Sequence, residues 1–217
     1  MNPKEIHAVI FDLDGTLIDT EKYYRIYWPK AVEHFGYSMT DEQALSLRSL
    51  GRPYAPERFR EWYGEDCDYV AIRDYRKHLM EQCLEEKGIQ LKPGALEILT
   101  FLRKKGITTA MATANDRERA TRYLKKIGLY DYFDRIVCAD MVEHGKPSPD
   151  IYRYACEQLG EKPGHCMAVE DSPNGVKSAH AAGCLPVYVP DQTPVDAEIA
   201  GILYASVDSL TELKKYV

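Results

Sequence analysis

Asp12-Leu13-Asp14-Gly15-Thr16 places two carboxylates two positions apart, immediately before a glycine and a hydroxyl. Where a chain leaves strand geometry, both carboxylates can face one crevice, and Gly15 supplies the turn. Paired carboxylates so placed can divide nucleophilic and proton-transfer work. Read alone, the pattern fits an ordinary strand-to-loop turn equally well, because Asp and Gly are common there.

Three further groups bear on that choice. Thr113, in Ala112-Thr113-Ala114-Asn115, brings a hydroxyl and following amides that can hold a phosphate; alternatively Asn115 or Asp116 caps a helix there. Lys146 stands in Gly145-Lys146-Pro147-Ser148-Pro149-Asp150, a loop stiffened by two prolines, where a lysine can also be a plain surface charge. Glu170-Asp171 closes another apolar run and leads into Ser172-Pro173-Asn174-Gly175; an acidic pair there suits a helix N-terminus too. Four carboxylates in one cleft repel one another and raise each other's pKa values. A hard cation relieves the repulsion, and Mg2+ prefers oxygen ligands and often completes its shell with a substrate phosphate. Lys146 then offsets the remaining negative charge.

The elements that must position these groups are visible as apolar runs. Ile6–Phe11 is almost continuously apolar and β-branched, as expected of a strand covered on both faces. Similar runs recur at Ile107–Ala112, Ile136–Ala139, Cys166–Val169 and Leu185–Val189. Between them lie helical patterns: one from Pro93 to Gly106, then Arg117–Ile127, Asp150–Leu159 and Gly175–Ala182, each ending at a glycine. This alternation predicts an α/β fold, a doubly wound parallel sheet of Rossmann-like type. Ligands in such sheets gather beyond the carboxyl ends of the strands, where Asp12, Asp14, Thr113 and Glu170 fall. From Thr20 to Gly88 no strand pattern occurs, and the stretch reads as an inserted α-helical cap. The predicted division is residues 1–19 and 89–217 for the core and 20–88 for the cap. Asp19-Thr20 and Ile89–Pro93 are then the hinges, and Pro29 is expected to interrupt or kink the first cap helix.

Together the motifs resemble the haloacid dehalogenase superfamily, in its phosphatase and phosphomutase branch with a helical cap after the first strand. The resemblance covers the whole chain and rests on DLDGT at 12–16, Thr113 in ATAN, Lys146 in GKPSPD and VEDSPNG at 169–175, in that order. It implies that Asp12 attacks phosphorus and that Asp14 protonates the leaving oxygen and then activates water. It also implies that Thr113, Ala114, Asn115 and Lys146 hold the transferring phosphate. Mg2+ is implied at the Asp12 side chain, the Asp14 carbonyl and Asp171, with Glu170 nearby or acting through water.

Within this branch the sequence is similar to small sugar-phosphate phosphatases and to β-phosphoglucomutase. Arg48 and Arg52, in Leu47-Arg48-Ser49-Leu50-Gly51-Arg52, match a mutase substrate loop and are candidates to grip a second phosphate; surface pairing on a cap helix is the competing expectation. Two departures favour hydrolysis. Thr16 stands where the mutase commonly has an apolar residue, and Tyr24 replaces a histidine that helps the mutase couple cap closure to acid–base readiness. Tyr23, Tyr24, Tyr27 and Trp28 either line the pocket entrance or pack the cap core.

Composition narrows the alternatives. A chain of 217 residues, 45% hydrophobic, can bury a substantial core. A net charge of −6 argues against broad nucleic-acid binding, and no apolar run is long enough to span a membrane. Six cysteines without a CxxC pair, several inside apolar runs, and the absence of a leader pattern point to a cytoplasmic protein. A monomer acting on a small phosphorylated metabolite is the expectation. A non-catalytic binding protein would carry a damaged constellation, a receiver domain would need neither the second acid nor a cap, and a dinucleotide-binding dehydrogenase would show GxGxxG after the first strand.

Overall fold

β1 (Ala8–Phe11) lies inside the sheet and is buried along its whole length. Its side chains alternate between two cores: Val9 and Phe11 join one apolar layer, Ala8 and Ile10 the other. That double burial explains the unbroken apolar run. The computed structural model describes residues 5–217. β2 (Thr108–Thr113), β3 (Arg135–Cys138), β4 (Cys166–Glu170), β5 (Leu185–Tyr188) and β6 (Ala205–Ser206) complete the sheet. Strand order is β3-β2-β1-β4-β5-β6, with every pairing parallel. Phe11 is level with Met111 on one side and Val169 on the other. The order reverses at β1, so a crevice opens beyond the ends of β1 and β4, where such sheets bind ligands.

Helices α5 (Ala95–Lys105) and α6 (Arg117–Lys126) cover one face, and α7 (Asp150–Leu159) and α8 (Pro173–Ala181) the other. The five expected strands and four expected helices are present, with no end moved by more than two residues. β6 has only two residues, too short to leave a periodic signal.

Between β1 and α5 the chain forms four helices: α1 (Glu21–His34), α2 (Asp41–Ser46), α3 (Tyr54–Tyr63) and α4 (Tyr69–Lys87). They enclose a core of their own, with Trp28, Ala31, Val32, Ala44, Leu47, Phe59 and Ile72 buried together. Trp28 packs against Phe59 at 5.3 Å between ring centroids, so it belongs to this core. Tyr23 instead packs against the sheet's core, alongside Met80, Cys83 and Leu84 of α4. The two chain crossings run antiparallel: Asp19 N–H donates to the Gln90 carbonyl at 2.9 Å and Lys92 N–H to that of Leu17 at 2.9 Å.

Of the interruption or kink expected at Pro29, the interruption does not occur: α1 runs through it from Glu21 to His34. The proline removes only the bond that would reach the Arg25 carbonyl, and Arg25 lies on the exposed face, where water can serve that oxygen. Burial of Trp28, Ala31 and Val32 on the opposite face holds the helix in register.

Because the insertion has a separate core, Phe59→Ala should loosen it selectively. A loss of about 3–5 kcal/mol is expected for a buried phenylalanine. Hydrogen exchange should show α1–α4 losing protection while β1, β2 and β4 keep theirs; uniform loss across the sheet would contradict this.

Candidate active site

Asp12 follows β1 directly, its N–H bonded to the Val169 carbonyl of β4 at 3.0 Å. That bond continues the ladder by one step and brings the Asp12 side chain beside the end of β4, where Glu170 and Asp171 emerge. One carboxylate oxygen from each of Asp12, Glu170 and Asp171 lies within 4.8 Å of the others, and all three residues are buried. Gly15 has φ +84°, and a Cβ there would fall 2.4 Å from Asp171 Oδ2, so the turn needs glycine for both conformation and space. Thr16 donates to Asp171 Oδ1 at 3.1 Å.

Lys146 is 1% exposed and uses all three of its protons. They go to Asp12 Oδ1 at 2.5 Å, Glu170 Oε1 at 2.5 Å and the Ala112 carbonyl at 3.0 Å. Tyr152 on α7 donates to Glu170 Oε1 at 2.6 Å, and Ser172 to Oε2 at 3.3 Å. Gly175 packs on the same carboxylate so closely that a Cβ would meet its carbon at 2.0 Å. Ser172, with its Oγ accepting from Gly175 N–H, is the cap of α8. The acidic pair is thereby free of the capping task that the sequence left open for it.

Asp14 is turned elsewhere. Its Oδ1 accepts from Thr20 Oγ1 at 2.6 Å and its Oδ2 from Asn115 Nδ2 at 2.5 Å. Thr20, expected only as a hinge, thus reaches the second carboxylate, while Asp19 pairs with Lys22. Asn115, expected to hold phosphate, spends its amide on Asp14 and on Thr113 Oγ1 at 2.9 Å. Asp116 caps α6, and Thr113 lies fully buried beneath Asn115. Tyr24 reaches Asn115 Oδ1 at 3.5 Å, and burial pushes its phenol well above the ordinary 10.0.

The two arginines expected to grip substrate are already engaged. Arg48 is 4% exposed, and its Nη2 donates to the carbonyl and to Oδ2 of Asp171, the latter at 3.1 Å. Its Nη1 donates to Thr193 Oγ1 at 2.8 Å. Arg52 donates to the carbonyls of Ala139 and Val142 at 3.0 and 3.1 Å. Beside them the insertion meets the sheet loop through two glycines. Gly51 N–H donates to the Lys146 carbonyl at 2.8 Å and Gly145 N–H to that of Arg52 at 2.7 Å. A Cβ on Gly51 would fall 2.5 Å from Gly145 Cα.

Burial dominates the electrostatics. It raises Asp12 well above 3.8 despite the opposing Lys146 charge, and raises Asp171 to about 7 despite Arg48. Glu21, 4% exposed, is likewise raised by burial and then by the Asp171 charge. Burial alone would lower Lys146, but Asp12 and Glu170 hold its ammonium above 10.5. Five buried carboxylates, Asp12, Asp14, Glu21, Glu170 and Asp171, gather here, and two buried cations, Lys146 and Arg48, bond to three of them. Acids outnumber the cations bonded to them, and the donor set of Asp12, Glu170 and Asp171 is all oxygen, so the cluster fits a hard divalent cation. A cavity of about 360 Å³ opens over Asp12 and Asp14, lined also by Glu21, Tyr24, Ala114 and Asn115.

Glu21, Thr16 and Tyr152 were not singled out as site residues by the sequence. Only Thr16 carried a signal, as the last residue of DLDGT; the others are placed by helix packing.

The sequence profile of the haloacid dehalogenase-like hydrolases matches residues 6–183. The chain belongs to this family. Among curated relatives of this hydrolase is the phosphorylated carbohydrates phosphatase of Thermotoga maritima, 33% identical over 189 residues that cover 84% of each chain. CbbY of Rhodobacter sphaeroides, solved with xylulose-(1,5)bisphosphate, superposes with a TM-score of 0.81 at 28% identity, covering 96% of each chain. A β-phosphoglucomutase of Clostridium difficile shares the fold, with a TM-score of 0.82 at 23% identity over 97% of this chain and 96% of its own. No helix among the described residues is long and apolar enough to cross a membrane.

Lys146→Met leaves Asp12 and Glu170 without their shared cation. The expected loss at pH 8 is about 3–5 kcal/mol, as for breaking a buried pair from one side. A carboxyl whose folded pKa is raised favours the folded state at low pH and costs stability as pH rises through that value. Urea denaturation should therefore show a smaller deficit at pH 5 than at pH 8. A deficit independent of pH would contradict the assignment.

Proposed function

We propose that this hydrolase is a Mg2+-dependent phosphatase of small phosphomonoesters, sugar phosphates foremost, working through an aspartyl-phosphate on Asp12. The observation that carries the reading is the contrast between two carboxylates two residues apart. Asp12 sits in the acidic cluster with Lys146, while Asp14 faces the same cavity from a separate, neutral hydrogen-bonding setting. Paired carboxyl groups in unlike surroundings are how one site supplies both nucleophile and acid.

In this mechanism an oxygen of Asp12 attacks phosphorus and the ester oxygen departs with the proton of Asp14. Asp14 then takes a proton from the water that cleaves the acyl phosphate. Thr20 can serve both protonation states, because a hydroxyl donates to a carboxylate and accepts from a carboxylic acid. Lys146 neutralises charge on the Asp12 side and on the transferring group, and the amides after Thr113 offer donors to its oxygens. Asp12, Glu170, Asp171 and the Asp14 carbonyl would hold Mg2+, which supplies charge neutralisation for in-line phosphoryl transfer. Residues 20–88 act as the cap that closes over the cavity, hinged at the paired crossings near Asp19-Thr20 and Ile89–Pro93. A cytoplasmic location accords with this role.

The Tyr24 phenol, raised by burial, stays neutral across physiological pH and provides no proton switch of the histidine kind. Hydrolysis is accordingly preferred to mutase chemistry. The Thermotoga relative, named for phosphorylated carbohydrates, supports the substrate class.

A sugar-phosphate panel assayed with and without Mg2+ tests the proposal. Phosphate release should require Mg2+ and fall at least about 10³-fold in Asp12→Asn, while Asp14→Asn should slow both leaving-group departure and phosphoenzyme hydrolysis. Release that survives Asp12→Asn, or glucose 1-phosphate isomerisation outpacing release, would refute it. Because Asp171 is raised to about 7, Mg2+ must displace its proton below that pH. Titration calorimetry should show apparent Mg2+ affinity climbing from pH 5.5 to 8; a flat profile would contradict the ligand assignment.

A further inference from the structure

We propose that Asn115 is a positioning residue that holds Asp14 in place to protonate the leaving oxygen. The inference rests on the phosphatase reading and gives a task to a buried amide that the mechanism above leaves unused.

Asn115 follows β2 by two residues, between Thr113 and the α6 cap Asp116, and is 7% exposed. Each of its polar atoms is engaged. The main-chain N–H donates to Thr113 Oγ1 at 3.2 Å, and the carbonyl accepts from Ala139 N–H at 2.9 Å. The side-chain NH2 has two protons: one goes to Asp14 Oδ2 at 2.5 Å and the other to Thr113 Oγ1 at 2.9 Å. The amide oxygen accepts from the Tyr24 hydroxyl at 3.5 Å. The opposite amide orientation would set an oxygen against the Asp14 carboxylate, where only a donor is tolerated. With both N–H protons committed, Asn115 acts through Asp14 rather than on the phosphate.

Asp14 is thereby held from two sides. Thr20 stands at the N-cap of α1 without capping it, and its hydroxyl instead reaches Oδ1 at 2.6 Å. Asn115 reaches Oδ2 from the end of β2. Donors on both oxygens fix the plane of a carboxylate whose last torsion is otherwise soft. The donors also differ in kind. An amide nitrogen only donates, whereas a hydroxyl can turn and accept, so Oδ1 is the oxygen that can carry the acid proton with a partner beside it. In the first step Asp12 bonds to phosphorus and the bond from phosphorus to the ester oxygen breaks. That oxygen keeps the bonding pair and takes the Oδ1 proton, and Asp14 is left as a carboxylate facing the Asn115 N–H. A carboxyl free to turn would lose that aim, and a misplacement of about 1 Å can cost on the order of 10²-fold in rate.

The leaving group separates this role from a purely structural one. A sugar alkoxide is too basic to depart without a proton, whereas p-nitrophenolate departs without one. Single-turnover quench-flow, with enzyme in excess over ester, isolates the first step. Asn115→Ala should release alcohol from the fastest sugar phosphate of the panel about tenfold or more slowly than wild type, and p-nitrophenolate from its phosphate less than about threefold more slowly. Asn115→Leu, which keeps the volume without the donors, should give the same split and guards against a packing defect in the alanine variant. In Asp14→Asn protein no acid remains to be aimed, so adding Asn115→Ala should slow alcohol release less than about twofold. Equal slowing of both esters overturns the inference, as does a sugar ester that neither variant slows, or a full further loss in the Asp14→Asn background. Wild-type protein that cleaves neither ester would sink the phosphatase reading itself; cleavage of both, slowed equally in the variants, would sink only the role of Asn115.

Discussion

Lys146 brings an ammonium group into a site with almost no water, and each of its three protons is committed to a different part of the molecule. One goes to the end of β1, one to the end of β4 and one to a carbonyl of β2. Desolvating such a charge costs several kcal/mol, recovered only where every donor is matched. The three strand ends must therefore stand in fixed relation, and the parallel register does that: Phe11 is level with both Met111 and Val169. The same requirement fixes the surroundings of Glu170, where Tyr152, Ser172 and the bare face of Gly175 close on the carboxylate.

A second constraint follows from charge. Lys146 and Arg48 are fewer than the buried carboxylates around them, and burial first, with the neighbouring acids adding to it, raises Asp12, Glu21 and Asp171. Arg48 is notable because it comes from the insertion yet bonds to an acid of the sheet. The position of the insertion and the charge of the cluster are consequently linked through one guanidinium. The hydrogen-bonded setting of Asp14 lies outside this cluster, so a neighbour two residues away can act as a separate group.

Much of this was legible in the sequence because the chemistry constrains residue types at fixed points. Asp12, Asp14, Lys146, Glu170 and Asp171 stand at strand ends or in a stiff loop, and the doubly covered strands betray themselves as continuous apolar runs. What the sequence did not show depends on contacts between helices. Glu21 and Tyr152 lie in helices, where buried and solvated polar residues read alike. Arg48 and Arg52 read as substrate contacts or as surface pairs on a cap helix, and their partners, Asp171 and the Ala139 and Val142 carbonyls, come from distant segments. Asn115 resembled a phosphate-loop residue, and only the fold shows its amide turned to Asp14. Pro29 followed the same logic: helix propensity argued for a break, and packing against the insertion's core overrode it.

The contact between Gly51 and Gly145 is made entirely by main-chain atoms, two amide–carbonyl bonds across a gap too narrow for any side chain. At a net worth of about 0.5–1.5 kcal/mol each, the bonds form a light fastening between the helical insertion and the sheet loop. Its acceptors are the main-chain carbonyls of Lys146 and Arg52, so no side chain enters it. Side chains lining the cavity can therefore change without disturbing this join, so the fit of the two parts and the lining of the pocket are set by different atoms.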